Sequence, residues 1–122
     1  MKRVVIESPY KGHVPVNEIY GELCMHDCLV NHNEAPYASH LLYTRTFVLR
    51  DEIPEDRKLG IEAGFYWRNV AEQTNFYVDL GMTDGMKLGI DDLATISIFF
   101  SPWILYVIPR SIFFTCRYSL DL

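Results

Sequence analysis

The residues best suited to chemistry gather in one turn. Between the apolar run Phe76-Tyr77-Val78 and a helical stretch opening near Gly85 lie Asp79, Gly81, Thr83, Asp84 and Gly85. A strand that feeds a helix through such a turn leaves backbone N–H groups free at the helix start, where the dipole is positive. Phosphates and carboxylates bind at such ends. The turn points to a small-molecule pocket without naming a reaction. A second loop, Ser8-Pro9-Tyr10-Lys11-Gly12, breaks the N-terminal run Val4-Val5-Ile6. Ligands of open α/β sheets gather beyond the carboxyl ends of strands, where this loop would lie.

Other groups carry weaker signals. Cys24, Cys28 and His32 recur at i, i+4 and i+8, a spacing that can present metal ligands on one helix face. The third falls at a helix end and no fourth is evident, so the cysteines read as buried core thiols and no metal is expected. His40, beside Leu41 and Leu42, reads as a hydrogen-bonded structural residue before a catalyst. Arg45 and Arg50 lie in a polar loop that could reach a phosphate, though each alone reads as solvated. Glu62 sits between Gly60 and Gly64, facing either a ligand or water.

These groups need elements to position them. Arg3 to Glu7 reads as a buried, central parallel strand. Asn17 to Asn31 reads as a helix with Ile19, Tyr20, Leu23, Cys24 and Val30 on its apolar face. Pro36 to Tyr43 is expected to be a second strand with His40 inside it. Pro54 to about Glu72 is the clearest helix, with Pro54 in the first turn, Glu55 and Asp56 at the positive end, and a stripe of Leu59, Ala63, Tyr66, Trp67 and Val70. Gly60 and Gly64 share a face that would admit another backbone. Phe76 to Leu80 reads as a third strand. In the helix after it, Met86, Ile90 and Leu93 can face the sheet while Gly89 allows close contact. Strand and helix alternate, as in a doubly wound α/β domain.

With 122 residues the chain is read as one domain, 1–122, with residues 93–122 an atypical apolar C-terminal segment. Ile96 to Phe100 and Ile104 to Ile108 look like strands there. The run from Leu93 to Ile108 is interrupted by Pro102 and falls short of the ~20 apolar residues of a bilayer span, so a membrane is not an expected partner. A tail this apolar must pack or pair, which makes a homo-oligomer one expectation. Net charge is −5 with no basic run, which argues against duplex nucleic acid. Three cysteines and no leader pattern fit a reducing cytoplasm.

Four segments together carry a family resemblance: Val4 to Tyr10 (VVIESPY), Ala35 to Thr44 (APYASHLLYT), Ile53 to Gly64 (IPEDRKLGIEAG) and Asp79 to Ile90 (DLGMTDGMKLGI). In this order, over residues 3 to 92, the chain resembles a small group of phage and bacterial proteins similar to nucleoside 2-deoxyribosyltransferases. The resemblance implies a compact flavodoxin-like or Rossmann-like three-layer sandwich with a mostly parallel sheet of four to five strands. It implies that Ser8, Pro9, Tyr10 and Gly12 touch sugar and base, and that Thr83, Asp84, Gly85 and Met86 hold a 5′ phosphate. The transferase nucleophile is a glutamate in a G-x-E-L-G pattern; here the pattern is Gly85-Met86-Lys87-Leu88-Gly89, with lysine at that place. An ammonium cannot attack an anomeric carbon, so Asp79, Asp84 or Glu62 would have to act instead.

Three functions follow from this reading. One is an N-glycoside hydrolase or deoxyribosyltransferase acting on a nucleoside 5′-monophosphate, with no cofactor. The second is a non-catalytic nucleotide-binding accessory protein, in which Lys87 adds affinity beside the phosphate turn. The third is an interaction protein assembling through its apolar end. Fold alone does not choose among them.

Overall fold

The computed structural model describes residues 1–97, 106–107 and 117–121, with side chains through residue 91. Its architecture is mixed α/β, built on a parallel trio of strands in the order β2-β1-β3. Strand β1 (Lys2–Glu7) lies at the centre and pairs with β2 (Glu34–Tyr37) and β3 (Gln73–Tyr77). Val4 sits opposite Pro36 on one side, and Val5 opposite Thr74 on the other. Pro36 donates no ladder hydrogen bond, which suits its strand to the outside of the trio. Beyond β3, strand β5 (Arg117–Asp121) pairs antiparallel, and β4 (Tyr106–Val107) pairs with β5.

Helix α1 (Val14–Asn31) joins β1 to β2, with Pro15 in its first turn. It stops where Asn33 takes φ 52°, a left-handed setting that asparagine tolerates. Tyr20, Cys24 and Cys28 meet Val4, Ile6, Ala38 and Tyr77 in the main apolar cluster. Gly21 lets Leu41 approach, since a Cβ there would lie 3.0 Å from Leu41 Cδ1. The expected apolar face is only half right. Ile19, Leu23 and Val30 are exposed, and Asn17 is buried instead because its Nδ2 donates to Tyr10 O at 2.8 Å.

The second strand is shorter than the sequence suggested. It ends at Tyr37, and Ser39–Leu42 form a short helix, α2, so His40 is helical. The turn closes through Leu42 N to Ala38 O at 3.1 Å and Thr44 Oγ1 to His40 O at 2.6 Å. The third strand also begins earlier, at Gln73, and leaves Val78 to Leu80 outside it. Gln73, Thr74 and Asn75 look like a loop by polarity but are buried. Asn75 Nδ2 donates to Glu34 Oε2 at 3.0 Å, and Gln73 Nε2 donates to Asn75 Oδ1 at 2.6 Å. Polar side chains enter a core when a network receives them.

Helix α3 (Pro54–Arg68) starts as expected, with Pro54, Glu55 and Asp56 in its first turn. Its buried face is not the expected stripe: Leu59, Tyr66, Trp67 and Val70 are all at least half exposed. Gly64 and Arg68 point inward instead. The glycines decide this, because a Cβ at Gly64 would sit 2.9 Å from Ser39 Oγ and one at Gly60 3.3 Å from Leu49 Cδ1. Close helix contact at bare backbone outweighs the outer stripe. Trp67 is partly used at the rim, where Nε1 donates to Tyr43 OH at 2.9 Å.

Helix α4 (Asp84–Ser97) follows β3. It includes Ile96 and Ser97, which the sequence suggested as strand; the helical repeat outweighs their β-propensity. Residues 98–105 and 108–116, with most of the two strands expected near the end, lie outside the described residues. Met86 is buried, and Gly89 packs closely as foreseen. Among the described residues, no helix is long and apolar enough to cross a membrane.

Candidate functional site

The connections out of β1 and β3 diverge, since β1 leads through α1 to β2 while β3 lies on the opposite side. Ligand crevices form beyond the carboxyl ends of strands at such a switch. A cleft opens there, with a cavity of about 90 Å³ beneath a wide mouth. The end of β1 supplies Glu7, Ser8 and Tyr10; α2 supplies Ser39, His40 and Tyr43; α3 supplies Arg57, Gly60 and Gly64; and the start of α4 supplies Thr83, Gly85 and Met86.

At one side of the floor Ser8 and His40 share a hydrogen bond, Oγ to Nε2, of 2.7 Å. Ser8 is buried, and Tyr10 meets the imidazole edge-on at 6.3 Å between centroids. Burial pushes His40 down to about 4, so the ring is neutral near pH 7. It can orient or accept a proton, but it is not a standing cation.

Glu7, the residue before Ser8, forms an ion pair with Arg68, whose side chain is 1% exposed. Arg68 Nη1 donates to Gly89 O at 3.0 Å, and its guanidinium carbon lies 4.7 Å from the Phe65 ring centroid. A Cβ at Gly89 would stand 3.0 Å from Arg68 Nη2 and 3.3 Å from Glu7 Cδ. The missing side chain makes room for the pair.

The third corner is cationic. Arg57 Nη1 donates to both oxygens of Asp51 at 2.8 Å, fixing the guanidinium plane. A Cβ at Gly85 would lie 3.6 Å from Arg57 Nη2, so the arginine faces the start of α4. Thr83 caps that helix: its Oγ1 accepts from Met86 N at 3.3 Å, and its carbonyl accepts from Lys87 N at 3.0 Å. Thr83 is therefore the cap. A positive helix end and a fixed guanidinium therefore face one cavity.

The structure brings together Ser8, Tyr10, Thr83, Gly85 and Met86 of the sequence-derived set. Gly12 lines an outer groove that shares Tyr10, Lys11, Asp51 and Arg57 with the cleft; Arg45 and Arg50 line that groove too. Pro9 is buried and lines neither. Lys87 is 61% exposed, pairs with Asp84 at 3.5 Å, and does not line the cleft. Asp84 and Glu62 are exposed and outside it as well. Asp79 lies away from the lining, where it accepts from Tyr20 OH and donates its own N–H back at 3.2 Å. Burial, and then Asp79, push the Tyr20 hydroxyl up. Burial also pushes the Cys24 thiol up, away from reactivity. Among the described residues, the cleft carboxylates are Glu7, Asp51 and Asp56.

The sequence does not mark Glu7, Arg57 and Tyr43 as site residues, and it marks His40 only weakly. Arg57, Gly60, Gly64 and Arg68 recur on one helical face, and that recurrence was the available signal. Glu7 had none beyond its place at a strand end.

A family model described as a domain of unknown function (DUF7768) matches residues 2–99, which take in β1 through α4. No curated protein and no solved structure matches the chain. With most of its length matched, the chain belongs to the DUF7768 family.

Proposed function

We propose that the cleft binds a nucleoside or nucleoside 5′-monophosphate, and that the chemistry it serves is cleavage or exchange of the N-glycosidic bond. The observation that carries the reading is the corner where Arg57, held by Asp51, faces Gly85 and the Thr83-capped start of α4. That corner suits a phosphate. The aromatic rings of Tyr10 and Tyr43 and the Ser8–His40 pair suit a base and a sugar in the same cleft. The order β2-β1-β3 supports a flavodoxin-like, Rossmann-like three-layer sandwich of four to five strands as the complete fold, akin to the nucleoside 2-deoxyribosyltransferases. The buried cysteines Cys24 and Cys28 support a reducing, cytoplasmic setting.

One observation favours a second reading, a nucleotide-binding protein without turnover. Asp79, Asp84 and Glu62, the acids expected to act, all lie outside the cleft lining. A thermal-shift panel of nucleosides, their 5′-monophosphates and nicotinamide nucleotides tests binding under both readings, because a native-state ligand raises Tm. A shift with a monophosphate that disappears in Thr83→Ala/Gly85→Val is expected. No shift with any of them, on folded protein, would remove both readings.

A further inference from the structure

We propose that Glu7 is the carboxylate that attacks the anomeric carbon of the bound nucleotide, in the place the sequence pattern leaves to Lys87; this rests on the nucleotide reading of the cleft. Three elements converge to present this one side chain. It leaves the end of β1, is gripped by Arg68 from α3, and fills the space that Gly89 of α4 leaves bare. Arg68 is in turn held by Gly89 O and by the Phe65 ring. A buried ion pair is a poor means of stabilising a fold, since desolvation offsets much of its attraction. Such an arrangement is better explained by the need to hold a carboxylate in one pose at the cleft floor.

The other cleft acids carry partners as Glu7 does, but towards the outer side of the cleft. Both oxygens of Asp51 are taken by Arg57, and Asp56 Oδ2 accepts from Arg50 N at 2.9 Å. Both also line the outer groove, whereas Glu7 lines only the inner cleft. Spacing supports the assignment. Gly85, at the phosphate corner, and Gly89, beside Glu7, are four residues apart on α4, about 6 Å along the helix axis. One face of the first turns of α4 therefore meets both Arg57 and Glu7.

The step balances with water as co-reactant. A Glu7 oxygen bonds to the anomeric carbon as the carbon–nitrogen bond breaks, its electron pair leaving with the base, which takes a proton from solvent. Water then attacks the same carbon, releases a proton, and frees the sugar phosphate and the carboxylate. The transition states are oxocarbenium-like, and a fixed anion favours them.

The test uses the full chain with the four common 2′-deoxynucleoside 5′-monophosphates, following base release by chromatography and binding by calorimetry. Glu7→Gln keeps an acceptor for Arg68 and is expected to lose at least 100-fold in release while binding stays within threefold. As a check that does not depend on the variant folding, wild-type protein is incubated with the 2′-fluoro counterparts, which slow breakdown of the ester. Mass spectrometry should then find a sugar-phosphate adduct on the tryptic peptide 4–11, at Glu7. Release unchanged in Glu7→Gln, an adduct on another peptide, or binding without any base release would each overturn the assignment and leave the binding reading standing. A wild-type protein that binds none of the nucleotides would overturn both.

Discussion

His40 shows how one partly buried side chain couples the site to pH. Its ring is held neutral by burial, at about 4, against about 6.5 in an unfolded chain. Between those values the unfolded state binds the extra proton, so stability falls as pH drops from 6.5 towards 4 and then levels off. At ~1.4 kcal/mol per unit, the loss is on the order of 3 kcal/mol. Urea denaturation from pH 7.5 to 4 should show this slope, and His40→Gln should flatten it. An equal slope in the variant would assign the effect to other groups. Arg57 gives the second residue-scale expectation. Charged hydrogen bonds contribute ~2 kcal/mol, so Arg57→Ala should weaken a nucleoside 5′-monophosphate roughly 30-fold and leave the parent nucleoside within a few-fold. Calorimetry reads both affinities.

At the scale of elements, helix α3 is the instructive case. Its start was legible, because Pro54, Glu55 and Asp56 act locally. Its inward face was not, because a stripe of Leu59, Tyr66, Trp67 and Val70 outweighs two glycines in any count of apolar residues. What decides the face is the backbone approach of α2, which a single sequence does not display. Gly64→Val should therefore cost about 2 kcal/mol, or roughly 8 °C in Tm, by driving a side chain into Ser39. A variant as stable as wild type would show that α2 yields easily. Strand β3 teaches the converse lesson. Its polar start, Gln73 to Asn75, was invisible as strand because its partner Glu34 comes from β2, 41 residues away from Asn75. Asn75→Ala should cost about 1–3 kcal/mol by leaving Glu34 short of a donor, read as a lower urea midpoint.

At the scale of the whole molecule, the alternation of strands and helices was enough to foresee the parallel trio and its crevice. The Ser8 loop and the Thr83–Gly85 turn come to one edge because both follow strands that run the same way. Their partners across the cleft were harder to see. The sequence suggests a strand around His40, and it marks Glu7 only as a strand's last residue. Each becomes a site residue through contact with something distant: Ser8 for the histidine, Arg68 and Gly89 for the glutamate. The acids singled out from sequence show the same limit. Asp79 follows the right strand, yet Tyr20 claims it. Local spacing locates the crevice; long-range pairing selects the groups that enter it.

The nucleotide reading stands on a phosphate held jointly by the start of α4 and Arg57. A four-way calorimetric comparison tests it most directly: a nucleoside and its 5′-monophosphate, each against wild type and Arg57→Ala. The phosphate should add at least tenfold to wild-type affinity, and most of this gain should vanish in the variant, so the two losses are not additive. Equal affinity for nucleoside and monophosphate in the wild-type protein, or a phosphate gain untouched by Arg57→Ala, would contradict it.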